Sequence, residues 1–312
     1  MCGIVGYIGK EQAVPILLEG LARLEYRGYD SAGICVAENG VLKVAKCKGR
    51  LSNLAAMTEN GALLHGTAGI GHTRWATHGE PNDINSHPHV SQNGKVALVH
   101  NGIIENYLEI REFLEEKGVQ FTSQTDSEVV AQLLEYCLGL DEVHCIQDAI
   151  YMVLHRIEGA YAFGIVCADD PERIYAARKD APLLLGYGDG CNFIASDVTA
   201  LVKYTRDVSY MEDGEVAVLT RDSIEVFNAM ELPIEKEHHH IDWEISAAEK
   251  GGYPHFMLKE IMEQPEALRR AITPRIKDNR IDFGDLILSK QTIESFNRVM
   301  IVACGSSYHV GM

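Results

Sequence analysis

The chain has 312 residues, with 28 basic and 45 acidic side chains and a formal net charge of −17. A field of that sign repels polyanions, so the composition argues against nucleic acid or an anionic membrane surface as a partner. Hydrophobic residues make up 46% and charged residues 23%, the balance of a globular protein with a sizeable core. No apolar run approaches the roughly 18 residues that a membrane-spanning helix needs.

The eight cysteines contain no Cys-x-x-Cys pair, and a chain of this size does not need disulfides to fold. The first residues lack the basic segment and apolar stretch of a signal peptide. We therefore expect reduced thiols in a cytoplasmic protein, with no metal and no cofactor. The consecutive histidines 238–240 are expected in a surface loop, because contiguous side chains cannot all face one ion.

The first half of the chain alternates predicted strands with amphipathic helices. Apolar residues at helical spacing predict a helix over 13–25, and Asn39-Gly40 predicts the turn of a β-hairpin. Thr125 and Glu128 have the spacing of a capping box at the start of another helix. Strands are predicted over 4–8, 31–37, 41–47, 69–75 and 96–99, and further helices over 108–116, 125–138 and 143–157.

The second half is rich in strands, predicted over 160–167, 173–177, 183–186, 192–195, 215–219 and 223–227. Antiparallel hairpins combined with paired helices predict an α+β fold of stacked sheets covered by helices. A polar stretch then predicts a linker over 229–254, which separates a domain over 2–228 from a third segment over 255–312. In that segment, a helix over 256–272 and a strand over 299–303 precede Gly305, Ser306 and Ser307, an order typical of phosphate-binding segments.

Cys2 is the residue with the most distinctive chemistry. A small second residue allows the initiator Met1 to be removed, which would leave a thiol and an α-amino group on one residue. The amine has an unperturbed pKa of roughly 7.7–8.0 and could serve as the base for the thiol. Cysteine is also a common small apolar residue in strands, so position alone does not decide between the two interpretations.

Five segments occur in one order along the chain, and each contains residue types suited to amide hydrolysis. They are Cys2–Gly6, Tyr26–Gly33, Gly71–Gly79, His100–Asn106 and Thr125–Glu128. Together they resemble the glutaminase domain of the glutamine–fructose-6-phosphate aminotransferases, a family of N-terminal-nucleophile glutamine amidotransferases. The resemblance covers residues 2 to about 240, and 241–312 resemble the linker and the first strand of that family's sugar isomerase domain.

The resemblance implies a four-layer αββα sandwich in which Cys2 attacks L-glutamine and forms a γ-glutamyl thioester. It implies an oxyanion hole from the Asn101 side chain and the Gly102 N–H. Arg74 and Asp126 would bind the α-carboxylate and α-ammonium groups of glutamine. The other positions carried over are Trp75, Thr77 and His78 at the glutamine pocket, Arg27 and Gly28 as support for the nucleophile, and Gly305, Ser306 and Ser307 for a sugar phosphate.

Taken singly, several of these residues have plainer interpretations. Asn101-Gly102 is a common hairpin turn, and Asp126 could simply favour a helix dipole. Trp75 could be a core aromatic, Arg27 a surface ion pair and His78 a structural histidine. Two other functions stay open: a different N-terminal-nucleophile hydrolase, and a non-catalytic module in which Met1 is retained or Cys2 is masked.

The same N-terminal domain occurs in amidophosphoribosyltransferase, which is the alternative within the family. The isomerase-like segment after the domain favours the aminotransferase, whose product, glucosamine 6-phosphate, begins amino-sugar (hexosamine) biosynthesis. The residues for binding and isomerising fructose 6-phosphate lie beyond the segment that is present. We therefore expect these 312 residues to hydrolyse glutamine without forming glucosamine 6-phosphate. The resemblance implies a homodimer for the complete enzyme.

Overall fold

The computed structural model describes residues 2–76, 79–242, 251–277, 280–282, 289–303 and 305–312. Within it the chain forms two compact units, Met1–Glu249 and Lys250–Met312.

Two antiparallel sheets form the first unit. Its strands are β1 Gly3–Ile8, β2 Ser31–Glu38, β3 Val41–Lys48, β4 Ala68–Arg74, β5 His89–Val90, β6 Val96–Ile104, β7 Gly159–Cys167, β8 Asp170–Lys179, β9 Leu184–Gly188, β10 Cys191–Ala195, β11 Asp207–Tyr210, β12 Val216–Leu219, β13 Ile224–Phe227, β14 Pro233–Ile234 and β15 His239–His240. The first sheet has the order β15-β11-β9-β10-β1-β4-β2-β3, and the second has the order β14-β13-β12-β8-β7-β6-β5. Strand β1, which follows Cys2, is thus an interior strand between β10 and β4.

Helices cover the outer faces of the sheets. They are α1 Ala13–Leu24, α2 Leu51–Met57, α3 Tyr107–Glu116, α4 Asp126–Leu138 and α5 Ile146–Leu154. Short 3-10 turns lie at Glu25–Arg27, Glu59–Gly61 and Val198–Ala200.

The side-chain alternation of the strands divides the core into three layers. Ile4 of β1 packs between the two sheets, whereas its neighbour Val5 packs beneath α1 and α2. In β6, Ala97 likewise faces the other sheet while Leu98 faces α3, α4 and α5. Successive side chains of a strand point to opposite faces, so each sheet has a helical layer on one side and the partner sheet on the other. The layer order is therefore αββα.

The hairpin and the long helices agree with the sequence-based prediction. Asn39 and Gly40 both have positive φ, as a tight turn between β2 and β3 requires. Helix α4 begins after Thr125, whose side chain accepts the Glu128 N–H. The Glu128 carboxylate accepts from the N–H groups of Thr122 and Ser123, so the reciprocal half of the predicted capping box is not formed.

Other predictions were wrong in extent or missed an element. Strand β6 runs to Ile104 rather than ending near Val99, so Asn101-Gly102 is not a hairpin turn. Helix α5 is shorter than its predicted range of 143–157, and α2, β5 and β11 were missed because their apolar patterns are brief. The elements missed at the end of the unit are β14 and β15.

Part of the predicted linker at 229–254 pairs with the sheets. Strand β14 pairs with β13, and β15 pairs with β11. Lys236, between them, forms an ion pair with Glu215 at 2.9 Å. The predicted loop of histidines 238–240 is exposed, but His239–His240 forms the edge strand β15. Polar edge strands of two residues carry too little alternation to be recognised from sequence.

The second unit contains α6 Phe256–Ile272, β16 Ile276–Lys277, β17 Arg280–Ile281, α7 Lys290–Glu294 and α8 Gly305–Gly311. The helix predicted over 256–272 is confirmed. The strand predicted over 299–303 is wrong, since those residues have no strand pairing in the described structure. Val299, Met300 and Val302 are exposed, so the apolar composition that suggested a strand does not form a core here.

Candidate active site

The Cys2 thiol lies at the end of β1 beside the end of β4. The register pairs Gly3 with Thr73, which carries Cys2 alongside Arg74 and Trp75. The Trp75 N–H donates to Cys2 Sγ at 3.2 Å, and the Cys2 thiol donates to the Trp75 carbonyl oxygen at 3.5 Å. The thiol thus contacts the backbone of Trp75 rather than its ring. The pairing of β1 with β4 fixes the position of that backbone.

The surroundings of Cys2 favour a protonated thiol. Burial raises the pKa of Cys2, while the Trp75 hydrogen bond and the Arg74 charge act in the opposite direction. A thiolate is the reactive form of cysteine, so the thiol needs a base that removes its proton. Within the described residues, the hydrogen bonds at Sγ join it only to the backbone of Trp75, and no histidine side chain is its partner.

Asn101 and Gly102 belong to β6, in the sheet facing the one that carries Cys2. The Asn101 Nδ2 group donates to the Cys2 carbonyl oxygen at 3.1 Å. Gly102 has φ of +139°, and a Cβ there would overlap the Ala160 carbonyl oxygen. Only glycine fits this position, since a side chain would meet both backbone strain and a clash.

Two buried residues of opposite charge, Arg74 and Asp126, lie close to each other at this site. Arg74 is 5% exposed and Asp126 is 6% exposed. Burial lowers the pKa of Arg74, and the nearby charges of Cys2, Asp126 and Asp30 oppose that shift. Asp126 is the first residue of α4, and its Oδ2 accepts the Ile104 N–H at 2.8 Å. Arg74 is thus close to the thiol on one side and to the Asp126 carboxylate on the other.

The remaining predicted residues differ in how closely they approach the thiol. Gly28 packs against the backbone that joins Arg74 to Trp75. A Cβ on Gly28 would lie 2.9 Å from both the Arg74 carbonyl carbon and the Trp75 nitrogen. Arg27 ends the 3-10 turn before Gly28. The Trp75 ring is 46% exposed and contacts the Tyr29 ring edge-on, so it is not a core aromatic. Thr77 and His78 lie outside the described residues.

The sugar-phosphate prediction concerned Gly305, Ser306 and Ser307. These residues open α8, a helix of seven residues. The helix start was predicted correctly, but the strand before it was not found. The role of the three residues stays a prediction.

The sequence did not predict several residues that shape the site, although Asp30, His72 and His100 lie within the five motif segments. Asp30 Oδ2 accepts the Ala76 N–H at 2.8 Å and thereby holds the chain after Trp75. The His72 Nε2 atom lies 2.9 Å from Asn101 Oδ1. His100 Nδ1 lies 2.8 Å from the Ser127 hydroxyl, next to Asp126. Burial and pairing, which composition cannot reveal, distinguish them from surface residues.

Four buried histidines form a connected group next to the Asn101 side chain: His72, His87, His89 and His100. The rings of His72 and His87 stack with centroids 4.2 Å apart, and His89 contacts His87 edge-on at 4.7 Å. Burial lowers the pKa of His72 to about 3, and it lowers the pKa of the other three as well. Adjacent rings with such pKa values are neutral at physiological pH.

Among the residues that the structure describes, no group of three histidine, cysteine or acidic side chains is arranged to hold a metal ion. Across the same described residues, no helix is long and apolar enough to cross a bilayer. Seven cysteines lie in the described part of the chain, and all seven are free thiols.

Comparison with known proteins shows which family shares this arrangement. A model described as a glutamine amidotransferase domain matches residues 72–203. Glutamine–fructose-6-phosphate aminotransferase (isomerizing) of Caldanaerobacter subterraneus is 53% identical over 313 residues, covering 100% of this chain and 51% of the relative. The protein of the same name from Thermus thermophilus is 48% identical, with 100% of this chain and 50% of the relative covered.

This chain carries a glutamine amidotransferase domain. Its sequence groups that domain with those of the glutamine–fructose-6-phosphate aminotransferases, as the order of motifs predicted. The chain spans about half the length of the curated relatives it matches.

Solved structures support the fold of the amidotransferase domain. Glutamine phosphoribosylpyrophosphate amidotransferase from B. subtilis aligns with a TM-score of 0.63 and 28% identity, covering 73% of this chain and 49% of that chain. A glutamine aminotransferase class-II domain protein from Silicibacter pomeroyi aligns with a TM-score of 0.51 over 73% of this chain and 99% of its own, at 14% identity. The predicted αββα sandwich of the N-terminal-nucleophile type is confirmed.

Proposed function

We propose that the amidotransferase domain hydrolyses L-glutamine to glutamate and ammonia through a γ-glutamyl thioester on Cys2. The observation that carries this proposal is that Arg74 lies close both to the Cys2 thiol and to Asp126. Free glutamine carries a carboxylate and an ammonium group on one carbon, and these two side chains match both charges. Arg74 would hold the carboxylate and Asp126 the ammonium group.

The chemistry follows from groups on Cys2 and β6. After removal of Met1, the Cys2 α-amine takes the thiol proton, directly or through a water molecule, and Sγ attacks the side-chain carbonyl carbon of glutamine. The Asn101 NH2 group and the Gly102 N–H stabilise the oxyanion of the tetrahedral intermediate. The C–N bond then breaks, the ammonium form of Cys2 returns a proton to the leaving ammonia, and water hydrolyses the thioester to glutamate.

The positions of the other predicted residues support secondary roles. Gly28 allows the turn ending at Arg27 to pack against the Arg74–Trp75 backbone, which in turn contacts the thiol. The exposed Trp75 ring is available to cover the bound substrate or the departing ammonia. Thr77 and His78 are proposed for the glutamine pocket on the family resemblance alone.

We further propose that the longer protein uses the ammonia to convert fructose 6-phosphate to glucosamine 6-phosphate. The names of the relatives describe an isomerising aminotransferase that acts on glutamine and fructose 6-phosphate. The longer protein would be a cytoplasmic homodimer, and its reaction would begin amino-sugar synthesis. Residues 255–312 would then belong to a sugar isomerase domain, joined to the amidotransferase domain by a linker. Supply of ammonia for phosphoribosyl transfer is the alternative, because those enzymes share the fold.

The test is an assay of the purified chain with L-glutamine, with glutamate and ammonia both quantified. We expect equal amounts of the two products, a mass that lacks Met1, and a diazo-ketone analogue of glutamine bound to Cys2 alone. A glutamine residue blocked within a peptide is expected to be a poor substrate, because it offers no charged groups to Arg74 and Asp126. Hydrolysis of the blocked peptide as fast as free glutamine, or labelling at another cysteine, would contradict the proposal.

Replacement of Asp126 by asparagine isolates the charge at the ammonium subsite. Asparagine retains an oxygen that can accept the Ile104 N–H, so the start of α4 is expected to keep its position. We expect the KM for glutamine to rise by roughly 10- to 100-fold, the loss expected for a charge-assisted hydrogen bond of about 1.5–3 kcal/mol. Steady-state kinetics measures this, and the thermal midpoint serves as the folding control. An unchanged KM would remove Asp126 from the subsite.

A further inference from the structure

The Asn101 side chain is an amide whose two ends have opposite hydrogen-bonding character. Its NH2 end donates to the Cys2 carbonyl oxygen at 3.1 Å. Its oxygen end lies 2.9 Å from His72 Nε2. An amide can rotate by about 180° at little cost in shape, so something must select the orientation that presents N–H groups to Cys2. Only that orientation can stabilise an oxyanion.

The contacts of His72 determine which of its ring nitrogens carries the proton. Nε2 lies 3.1 Å from the His100 carbonyl oxygen as well as 2.9 Å from Asn101 Oδ1. A backbone carbonyl can only accept, so Nε2 must be the protonated nitrogen, and it donates to both oxygens. A neutral imidazole has one N–H, which leaves Nδ1 unprotonated. Consistent with this, buried Nδ1 has no hydrogen-bond partner among the described residues.

The burial of His72 fixes that state. The side chain is 1% exposed, and burial lowers its pKa to about 3, so the ring does not gain a second proton near neutral pH. If the Asn101 amide were inverted, its NH2 end would face the Nε2–H. Two donors would then oppose each other in a buried site, and each unsatisfied group costs about 1–3 kcal/mol. The inverted amide is therefore rarely populated.

We propose that His72 is a positioning residue, which holds the Asn101 amide by its oxygen and thereby keeps the NH2 end directed at the oxyanion site next to Cys2. The inference rests on the proposed function, in which that NH2 end stabilises the tetrahedral intermediate. Of the two N–H groups, one is engaged by the Cys2 carbonyl and the other serves the substrate. His72 does not act as the base, because burial lowers its pKa to about 3 and the hydrogen bonds at Cys2 Sγ are made with the Trp75 backbone.

Two substitutions at His72 distinguish the contribution of its N–H donor from that of its ring. His72→Phe keeps a flat ring that can stack on His87 but has no donor. His72→Gln can place an amide N–H near the position of Nε2. We expect His72→Phe to lower kcat for glutamine hydrolysis by roughly 10- to 100-fold, with KM changed less than about threefold, because the lost stabilisation applies to the transition state. His72→Gln is expected to recover most of kcat.

The same substitution in an Asn101→Ala background tests whether His72 acts through Asn101. We expect no further loss of kcat on adding His72→Phe there, because the amide to be positioned is already absent. Thermal midpoints of all four proteins report on folding. Equal losses from His72→Phe in both backgrounds, or no loss in the parent, would overturn the inference.

A spectroscopic measurement keeps the inference testable even if glutamine is not the substrate. Nitrogen NMR of the full chain with labelled histidine is expected to show His72 as the neutral Nε2–H form from pH 8 down to pH 6, where the domain is still folded. Observation of the Nδ1–H form or of imidazolium in that range would overturn the positioning role. Absence of glutamine hydrolysis in the parent, with the Nε2–H form present, would instead contradict the proposed function alone.

Discussion

Replacement of Cys2 by alanine is expected to abolish glutamine hydrolysis, with a loss on the order of 10³-fold or more. Alanine is small, so Met1 is still removed and the α-amine remains, but no thioester can form. Gly3 continues to pair with Thr73, and the Trp75 N–H loses only a sulfur acceptor at a partly exposed site. Ammonia release measured over hours gives the residual rate.

The matched control is Cys145→Ala. Cys145 is also a free thiol, and its side chain is exposed. Its backbone N–H donates to Asp148 Oδ2 at 3.2 Å, and alanine keeps this half of the capping box at the start of α5 while losing the half that the sulfur forms. This variant is expected to retain the parental rate within about twofold, as surface substitutions generally do. Equal rates for Cys2→Ala and the parent would refute covalent catalysis at Cys2.

Mild acid is expected to unfold the amidotransferase domain. Histidines of the unfolded chain have a pKa near 6.5, whereas burial places the pKa of His72, His87 and His89 well below that value. Below pH 6.5 the unfolded state therefore binds more protons than the folded state, and the free energy of unfolding falls as pH falls. The loss for each histidine is about 1.4 kcal/mol per pH unit. For His72 it continues to about pH 3.

Three such histidines together give a slope of about 4 kcal/mol per pH unit, a large share of the 5–15 kcal/mol that stabilises a typical domain. Urea unfolding at pH 7.5, 6.5, 6.0 and 5.5 measures the slope. His72→Gln is the control, because glutamine does not titrate, and its slope is expected to be shallower by about 1.4 kcal/mol per pH unit. A free energy of unfolding that stays constant from pH 7.5 to 5.5 would contradict a neutral histidine cluster.

Much of the fold could be predicted from the sequence because periodicity reports directly on burial. Helix α1 follows from apolar residues at helical spacing, and the hairpin at Asn39-Gly40 follows from turn chemistry. These signals are local, so they do not depend on knowing which strands are neighbours. The order of the strands in each sheet is a long-range property, and no local pattern specifies it.

The candidate site shows the same division between local and long-range information. Cys2, Arg74 and Asp126 could be predicted because the motifs that contain them resemble those of a known family. The roles of His72 and of the Trp75 backbone could not be predicted, because each depends on pairing between segments distant in the chain. Asn101-Gly102 is the clearest case: its local chemistry predicts a turn, but pairing with Ala162 and Tyr161 of β7 places it within a strand.

The position of Cys2, one residue before an interior strand, has a practical consequence for preparing the protein. Gly3 is already paired with β4, so no flexible arm separates the thiol from the sheet. An affinity tag fused ahead of Cys2 would occupy the space beside the thiol and convert its amine to an amide. Recombinant material should therefore be tagged at the other terminus, and an inactive preparation with an amino-terminal tag would carry no information about the enzyme.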